Sequence, residues 1–237
     1  MKILAVDSSG LVASVAIVED DVLLAEYTMN YKKTHSQTLL PMLNEIKEMI
    51  DLDLNSIDYI AVAAGPGSFT GLRIGSATVK GMGLALKKDI VEVPTLEGLA
   101  FNLCGTDKYV CPLMDARRNQ VYTGIYRFVE KDHEWVMEEV YEQTAEDIKD
   151  IIATCNELGH DVIFLGDGVP VYKKQIEELM TVPYSFAPAN MNRQRAASLG
   201  ALACTYAREG KTVSAAAHEP EYLRKSQAER EREEGKC

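Results

Sequence analysis

The chain has 237 residues, 46% of them apolar, and a formal net charge of -11. That is enough apolar material for a sizeable core in one large domain or two small ones. The acidic balance argues against a chain that grips nucleic acid by itself, because phosphate neutralisation needs clustered Lys and Arg. No apolar run approaches bilayer length, so no membrane association is expected, and residues 3–6 are too short an apolar stretch for a secretion signal. Cys104, Cys111, Cys155, Cys204 and Cys237 form no CxxC pair and read as reduced thiols of a cytoplasmic protein, the first four as buried thiols. The four histidines are too scattered for a zinc signature.

Residues 2–7 are an apolar strand ending in the turn Asp7-Ser8-Ser9-Gly10. Residues 12–18 and 22–29 read as two further strands around the tight turn Glu19-Asp20-Asp21, which completes an antiparallel meander. Thr34-His35-Ser36-Gln37 fits a capping box at the start of a helix. Leu39, Leu43, Ile46 and Ile50 mark one helix face, flanked by Leu40, Met42 and Met49. That arc is wide for a helix covering one sheet face; core packing is its default use, with part of it available to a partner. Pro41 should bend the first turns. His35 reads as a surface or cap-side residue.

Residues 57–64 are the next strand. They run into Gly65-Pro66-Gly67-Ser68-Phe69-Thr70-Gly71-Leu72-Arg73-Ile74-Gly75 and then a helix to about Lys87. A strand-to-helix turn of this kind lies where open α/β sheets place their ligands. Two readings stand side by side. One is a phosphate loop, since glycines before a helix N-terminus can hold an anion, but no lysine follows as the Walker pattern requires. The other is a tight turn feeding a helix whose small residues, Gly71, Gly75 and Thr78, let a second helix approach closely. The residues favour packing. Ser68 or Thr70 is the expected cap.

Residues 90–93 form a short strand, Thr95 is the expected cap of a helix over 96–103, and Asp107-Lys108 marks a boundary. The pattern then restarts. Residues 109–114 are a strand ending in Asp115-Ala116-Arg117-Arg118-Asn119, followed by strands at 120–129 and 134–141. Thr144-Ala145-Glu146-Asp147 is expected to open a helix, 161–165 to be a strand, and Gly166-Asp167-Gly168 to turn into a helix over 169–180. The last helix spans about 193–208. The order β-β-β-α-β-α therefore appears twice, each time from a strand ending in Asp. The division expected is a first α/β half at 1–106, a second at 107–217 and a charged tail at 218–237, disordered from about Ala228.

Two such halves are similar to the actin, sugar-kinase and Hsp70 ATPase architecture, the ribonuclease H-like type. Within it, Asp7-Ser8-Ser9, Thr34-His35-Ser36-Gln37 with Leu40-Pro41, the glycine stretch 65–75, Met114-Asp115-Ala116-Arg117 and Tyr222-Leu223-Arg224 together resemble the TsaB (YeaZ) family. The resemblance implies a non-catalytic subunit that binds TsaD in forming N6-threonylcarbamoyladenosine next to the anticodon of tRNAs reading ANN codons. TsaE would join through TsaD, and tRNA only through the assembled complex. It places the interface on the two first-half helices, with His35, Leu39, Leu43, Ile46, Gly71, Arg73, Gly75, Thr78, Val79 and Met82; the same face, unpartnered, would pair two copies. It puts a vestigial nucleotide site at Asp7, Ser9, Gly10, Gly166, Asp167 and Gly168, against the plainer reading of turn residues at strand ends. Thr95 and Leu99 stand where TsaD carries its metal-binding histidines, so no metal and no cofactor are expected. The competing readings are a small-molecule kinase of the same superfamily using Asp7 or Asp115, for which no phosphate clamp is legible, and a peptidase, for which no nucleophile and base are legible. Arg117 and Arg118 read as solvated turn residues rather than phosphate ligands.

Overall fold

A computed structural model describes residues 1–31 and 33–223, so the expectation of disorder from Ala228 onward lies outside the described residues. The first sheet contains β1 (Lys2–Asp7), β2 (Ala13–Glu19), β3 (Val22–Met29), β4 (Tyr59–Gly65) and β5 (Ile90–Pro94), in the order β3-β2-β1-β4-β5. The second contains β6 (Tyr109–Asp115), β7 (Gln120–Lys131), β8 (Glu134–Asp147), β9 (Val162–Leu165) and β10 (Tyr184–Phe186), in the order β10-β9-β6-β7-β8. Read from β8, the second order repeats the first. In both sheets the first three strands are antiparallel and the next two run parallel to the first. Two copies of this plan make the α/β, ribonuclease H-like duplication expected from the repeat. β1 and β4 are covered on both faces, which is why they read as unbroken apolar runs and not as alternating ones.

α1 (His35–Met49) and α2 (Phe69–Leu86) cover the outer face of the first sheet, burying Leu39, Ile46 and Val79 against Leu4, Val15, Ile17 and Val62. α4 (Ile148–Leu158) and α5 (Val169–Leu179) do the same for the second, with Ile151, Cys155 and Ile176 against Cys111, Val121 and Phe164. The inner faces are covered by exchange. α6 (Ala196–Arg208), late in the chain, packs Ala196, Leu199 and Ala203 on Ile3, Ala5, Val91 and Val93 of the first sheet. α3 (Thr95–Ala100), early in the chain, packs Leu96 and Leu99 on Val110, Met114 and Tyr126 of the second. A division of the chain at 106/107 separates two sheets but leaves each sheet dependent on a helix from the other half.

The start of α6 shows how that dependence is fixed. Arg195 occupies its cap position and supplies no side-chain cap. The first sheet supplies it instead. Ser14 Oγ accepts from Ala196 N at 2.8 Å, and Glu26 Oε1 accepts from Ala197 N at 3.1 Å. Glu26 also pairs with the Arg195 guanidinium through its Nε and Nη2 nitrogens, and its side chain is only 9% exposed.

Several local expectations are corrected. Thr34 precedes α1 but its side chain makes no capping bond; its hydroxyl accepts from Ser36 Oγ at 3.5 Å. α3 starts one residue earlier than expected, with Pro94 at the cap and Thr95 wholly buried inside. Residues 144–147 do not open a helix. They extend β8, because the long β7 offers pairing partners as far as Gln120 opposite Asp147. Asp147 then caps α4 by accepting from Lys149 N at 2.9 Å. α6 begins at Ala196, not at 193. β10 was not anticipated, since three residues are too few to show a period. Cys104 is exposed, while Cys111, Cys155 and Cys204 are buried, and all four are free. Among the described residues no helix is long and apolar enough to cross a membrane.

Glu26→Ala removes both the cap and the ion pair, and the expected loss is about 3 kcal/mol of unfolding free energy, measured from urea denaturation. A loss under about 1 kcal/mol would mean that apolar contacts alone dock α6.

Candidate functional site

The carboxyl ends of β1, β4 and β6 and the turn after β9 converge on a cleft between the halves, with a volume of about 1090 Å³. Ser9, Gly10, Gly67, Ser68 and Gly71 line it from the first half, and Asp115, Arg117 and Asp167 from the second. His35 reaches it from the start of α1, where its Nε2 lies 2.9 Å from the Gly10 carbonyl oxygen. The two Asp turns of the sequence repeat therefore face one space.

The carboxylates of the cleft are engaged within the chain. Asp7 is buried behind the wall, and its Oδ1 accepts from Ser9 N at 2.9 Å and Ser9 Oγ at 2.7 Å. Burial pushes its carboxyl up from the ordinary range and outweighs the Ser9 bonds that pull it down. Burial likewise raises Asp167, whose Oδ1 accepts from Asp115 N at 3.1 Å. Asp115 Oδ1 accepts from Arg117 N and from Tyr172 Oη. Gly166, at φ 107°, has the Leu113 carbonyl oxygen where a side chain would go, while Gly168 packs tightly on the same Leu113 backbone. Arg117, Arg118 and Asn119 all take left-handed backbone angles, with φ of 66°, 58° and 59°, a turn that costs about 1 kcal/mol per arginine and that only Asn119 favours by residue type. Among the described residues no group of three or more His, Cys, Asp and Glu could hold a metal ion. Gln194, which the sequence did not single out, is buried against Gly10.

The glycine stretch is built by packing. Ser68 caps α2, accepting from Gly71 N at 3.3 Å, and its own amide donates to Ser9 O at 2.7 Å. A side chain at Gly71 would overlap the Ser8 carbonyl oxygen, and one at Gly75 the Ser8 hydroxyl. The close approach is therefore that of α2 to its own β1 turn, not of a second helix.

Most of the residues expected at the interface are engaged within the chain itself. Leu39, Leu43, Ile46, Gly71, Gly75 and Val79 are buried in the chain's own core, and Met82 packs against it. Thr78 donates to Ile74 O at 2.8 Å within its helix. His35 belongs to the cleft. Of the expected set only Arg73 is exposed. The wide apolar arc of α1 splits instead, leaving Leu40 (56% exposed) and Met49 (75%) outside. On α2 the outward positions are Arg73, Ala77, Gly81, Leu84 and Ala85, with Leu84 58% exposed and open space around Gly81.

The family described as "TsaD: tRNA N6-adenosine threonylcarbamoyltransferase" matches residues 22–232. The Bacillus subtilis "tRNA threonylcarbamoyladenosine biosynthesis protein TsaB" is 31% identical over 229 residues, covering 97% of this chain and 96% of that protein. The chain belongs to the TsaB family. The Escherichia coli TsaB is 29% identical over 231 residues, covering 96% of each. The solved structure of YeaZ from Pseudomonas aeruginosa superposes with a TM-score of 0.78 at 26% identity, covering 94% of this chain and 99% of that one. In this TsaB-family chain Thr95 and Leu99, at the positions the resemblance gives to the TsaD histidines, are core residues under 2% exposed.

Asp7→Asn tests the buried carboxylate. Folded Asp7 keeps its proton to higher pH than in the unfolded chain, so the wild type loses stability as pH rises from about 4 through the folded pKa. Asparagine does not titrate. The urea midpoint of Asp7→Asn relative to wild type should therefore climb as pH rises from about 4 and then level off; a gap that closes with rising pH would contradict the assignment.

Proposed function

We propose that this chain is a supporting subunit in tRNA threonylcarbamoyladenosine formation, docking on TsaD through the outward face of α1 and α2 and performing no transfer chemistry itself. The observation that carries the docking surface is the composition of that face. On the outward side of α2, Leu84 is exposed together with the small residues Ala77, Gly81 and Ala85, and the adjacent α1 exposes Leu40 and Met49 on the two flanks of its buried stripe, in an acidic chain. Covering what each of these side chains still exposes stabilises an assembly by about 1 kcal/mol, and the small residues let a partner helix lie close. The names of the relatives support the pathway, and the packing of Thr95 and Leu99 in the core supports the supporting role. TsaE would join through TsaD, tRNA would be met only in the assembled complex, and the work would be done in the cytoplasm. In the absence of TsaD the same face would pair two copies of this chain.

Gly81→Arg is the direct test, because the space around Gly81 accepts a side chain without disturbing the subunit. The variant should melt at or above the wild-type temperature, since leaving glycine in a helix interior gains up to about 1 kcal/mol. It should fail to co-elute with TsaD in size-exclusion chromatography with light scattering, and threonylcarbamoyladenosine formation with TsaD, TsaE and tRNA should fall to the level without this chain. Normal co-elution and activity would refute the docking face.

A further inference from the structure

After α6 the chain doubles back along the first half as a strap. Val213 bridges Ile90. His218 is buried with its Nδ1 2.6 Å from Glu92 Oε1, and its carbonyl accepts from Lys80 Nζ of α2 at 3.1 Å. Glu221 N donates to Ala64 O at 2.7 Å. The Glu221 backbone fills the space a side chain on Gly65 would need, and Gly65 sits at φ 133°, so strap and glycine turn are matched surfaces.

One residue further, Tyr222 meets the start of α2. Its ring lies 4.9 Å from that of Phe69, and its hydroxyl accepts from Arg73 Nε at 3.3 Å. The Arg73 guanidinium lies over the Phe69 ring, 4.0 Å from its centroid. Arg73 is thus held one turn into α2 by an aromatic residue of its own helix and another that arrives 149 positions later. Its terminal nitrogens meet no acceptor among the described residues, and the side chain is exposed.

An exposed arginine loses about 2 kcal/mol of rotamer entropy when a partner immobilises it. Here the ring contact and the Nε bond have already restricted it. What remains free is a planar fork that matches a carboxylate or phosphate with two parallel bonds. The chain's net charge of -11, with exposed Glu219 and Glu221 on the strap itself, opposes a polyanion and leaves a single carboxylate on a protein surface as the fitting ligand. Arg73 also shares its helix face with Ala77, Gly81 and Leu84, at steps of three and four.

We infer that the C-terminal strap builds an arginine contact for the docked partner: Phe69 and Tyr222 hold Arg73 so that it clamps a carboxylate of the protein seated on α2. The inference rests on the docking face proposed above and adds the chemistry its partner must carry. The strap is then a working part of the interface, and Tyr222 is a positioning residue.

The test is calorimetric titration with TsaD from the same source. Arg73→Gln and Tyr222→Leu should each weaken binding about tenfold, and the double variant no more than the stronger single one, because both remove one contact. Tyr222→Phe, which keeps the ring and loses the hydroxyl, should fall between. The wild-type advantage should shrink as salt rises, and the melting temperatures of the free proteins should agree. Wild-type affinity in Arg73→Gln and Tyr222→Leu, alongside loss of binding in Gly81→Arg, would overturn this inference and keep the docking face. Effects of the two substitutions that simply add would also overturn it. Normal binding by Gly81→Arg would remove the docking face itself. Unchanged TsaD binding by Arg73→Gln with weakened tRNA binding by the assembled complex would mean that the fork meets phosphate, and would overturn the carboxylate assignment.

Discussion

The docking of α6 on the first sheet is the contact on which the rest of the molecule depends. α6 belongs by sequence to the second half, yet Ser14 and Glu26 of the first sheet satisfy its leading amides and Glu26 neutralises Arg195 beside them. A helix start buried without such partners would leave donors unmet. Meeting them from another part of the chain fixes where the helix begins and at what angle it lies. α3 makes the reciprocal crossing onto the second sheet. With both helices exchanged, the two sheets cannot separate without uncovering both inner faces, and the cleft between them is held by packing.

The same docking sets the course of the strap. Because α6 ends beside β5, the residues after it reach Ile90, Glu92 and then the end of β4, and Tyr222 arrives at α2. The first half is therefore finished by the last described residues. The outward face of α2 lies between this strap and α1, and its glycines divide by function. Gly71 and Gly75 face inward, where the β1 turn presses on the helix, while Gly81 faces open space. Identical residues at helical spacing thus pack against the chain's own β1 turn on one side and lie in open space on the other.

Much of the fold was legible because it is written in local periods. Alternation and apolar runs marked β1, β2, β3, β4, β6 and β9 closely, and the restart at Tyr109 showed the duplication. The cap of α2 was readable as Ser68 or Thr70, and Ser68 supplies it, because a serine before a helical run has a local partner. Thr34 failed as a cap and residues 144–147 failed as a helix start for a shared reason: short polar side chains have several nearby partners, and strand pairing with β7 outbid the capping signal at β8. The candidate interface was half legible. Two helices with apolar arcs were recognisable, but the arc does not say which edge faces the sheet, and Leu39 and Leu40 are neighbours with opposite fates.

The sequence by itself determined the duplicated α/β plan, the Asp turns, the glycine turn between β4 and α2, and the family, because each is carried by residues adjacent in the chain or at a fixed period. Only the tertiary structure decided the exchange of α3 and α6, the inward facing of Gly71 and Gly75, the left-handed turn at residues 117–119, and the meeting of Tyr222 with Arg73. These depend on which surfaces the sheets leave free once they have formed. A contact between positions 149 residues apart has no period to announce it.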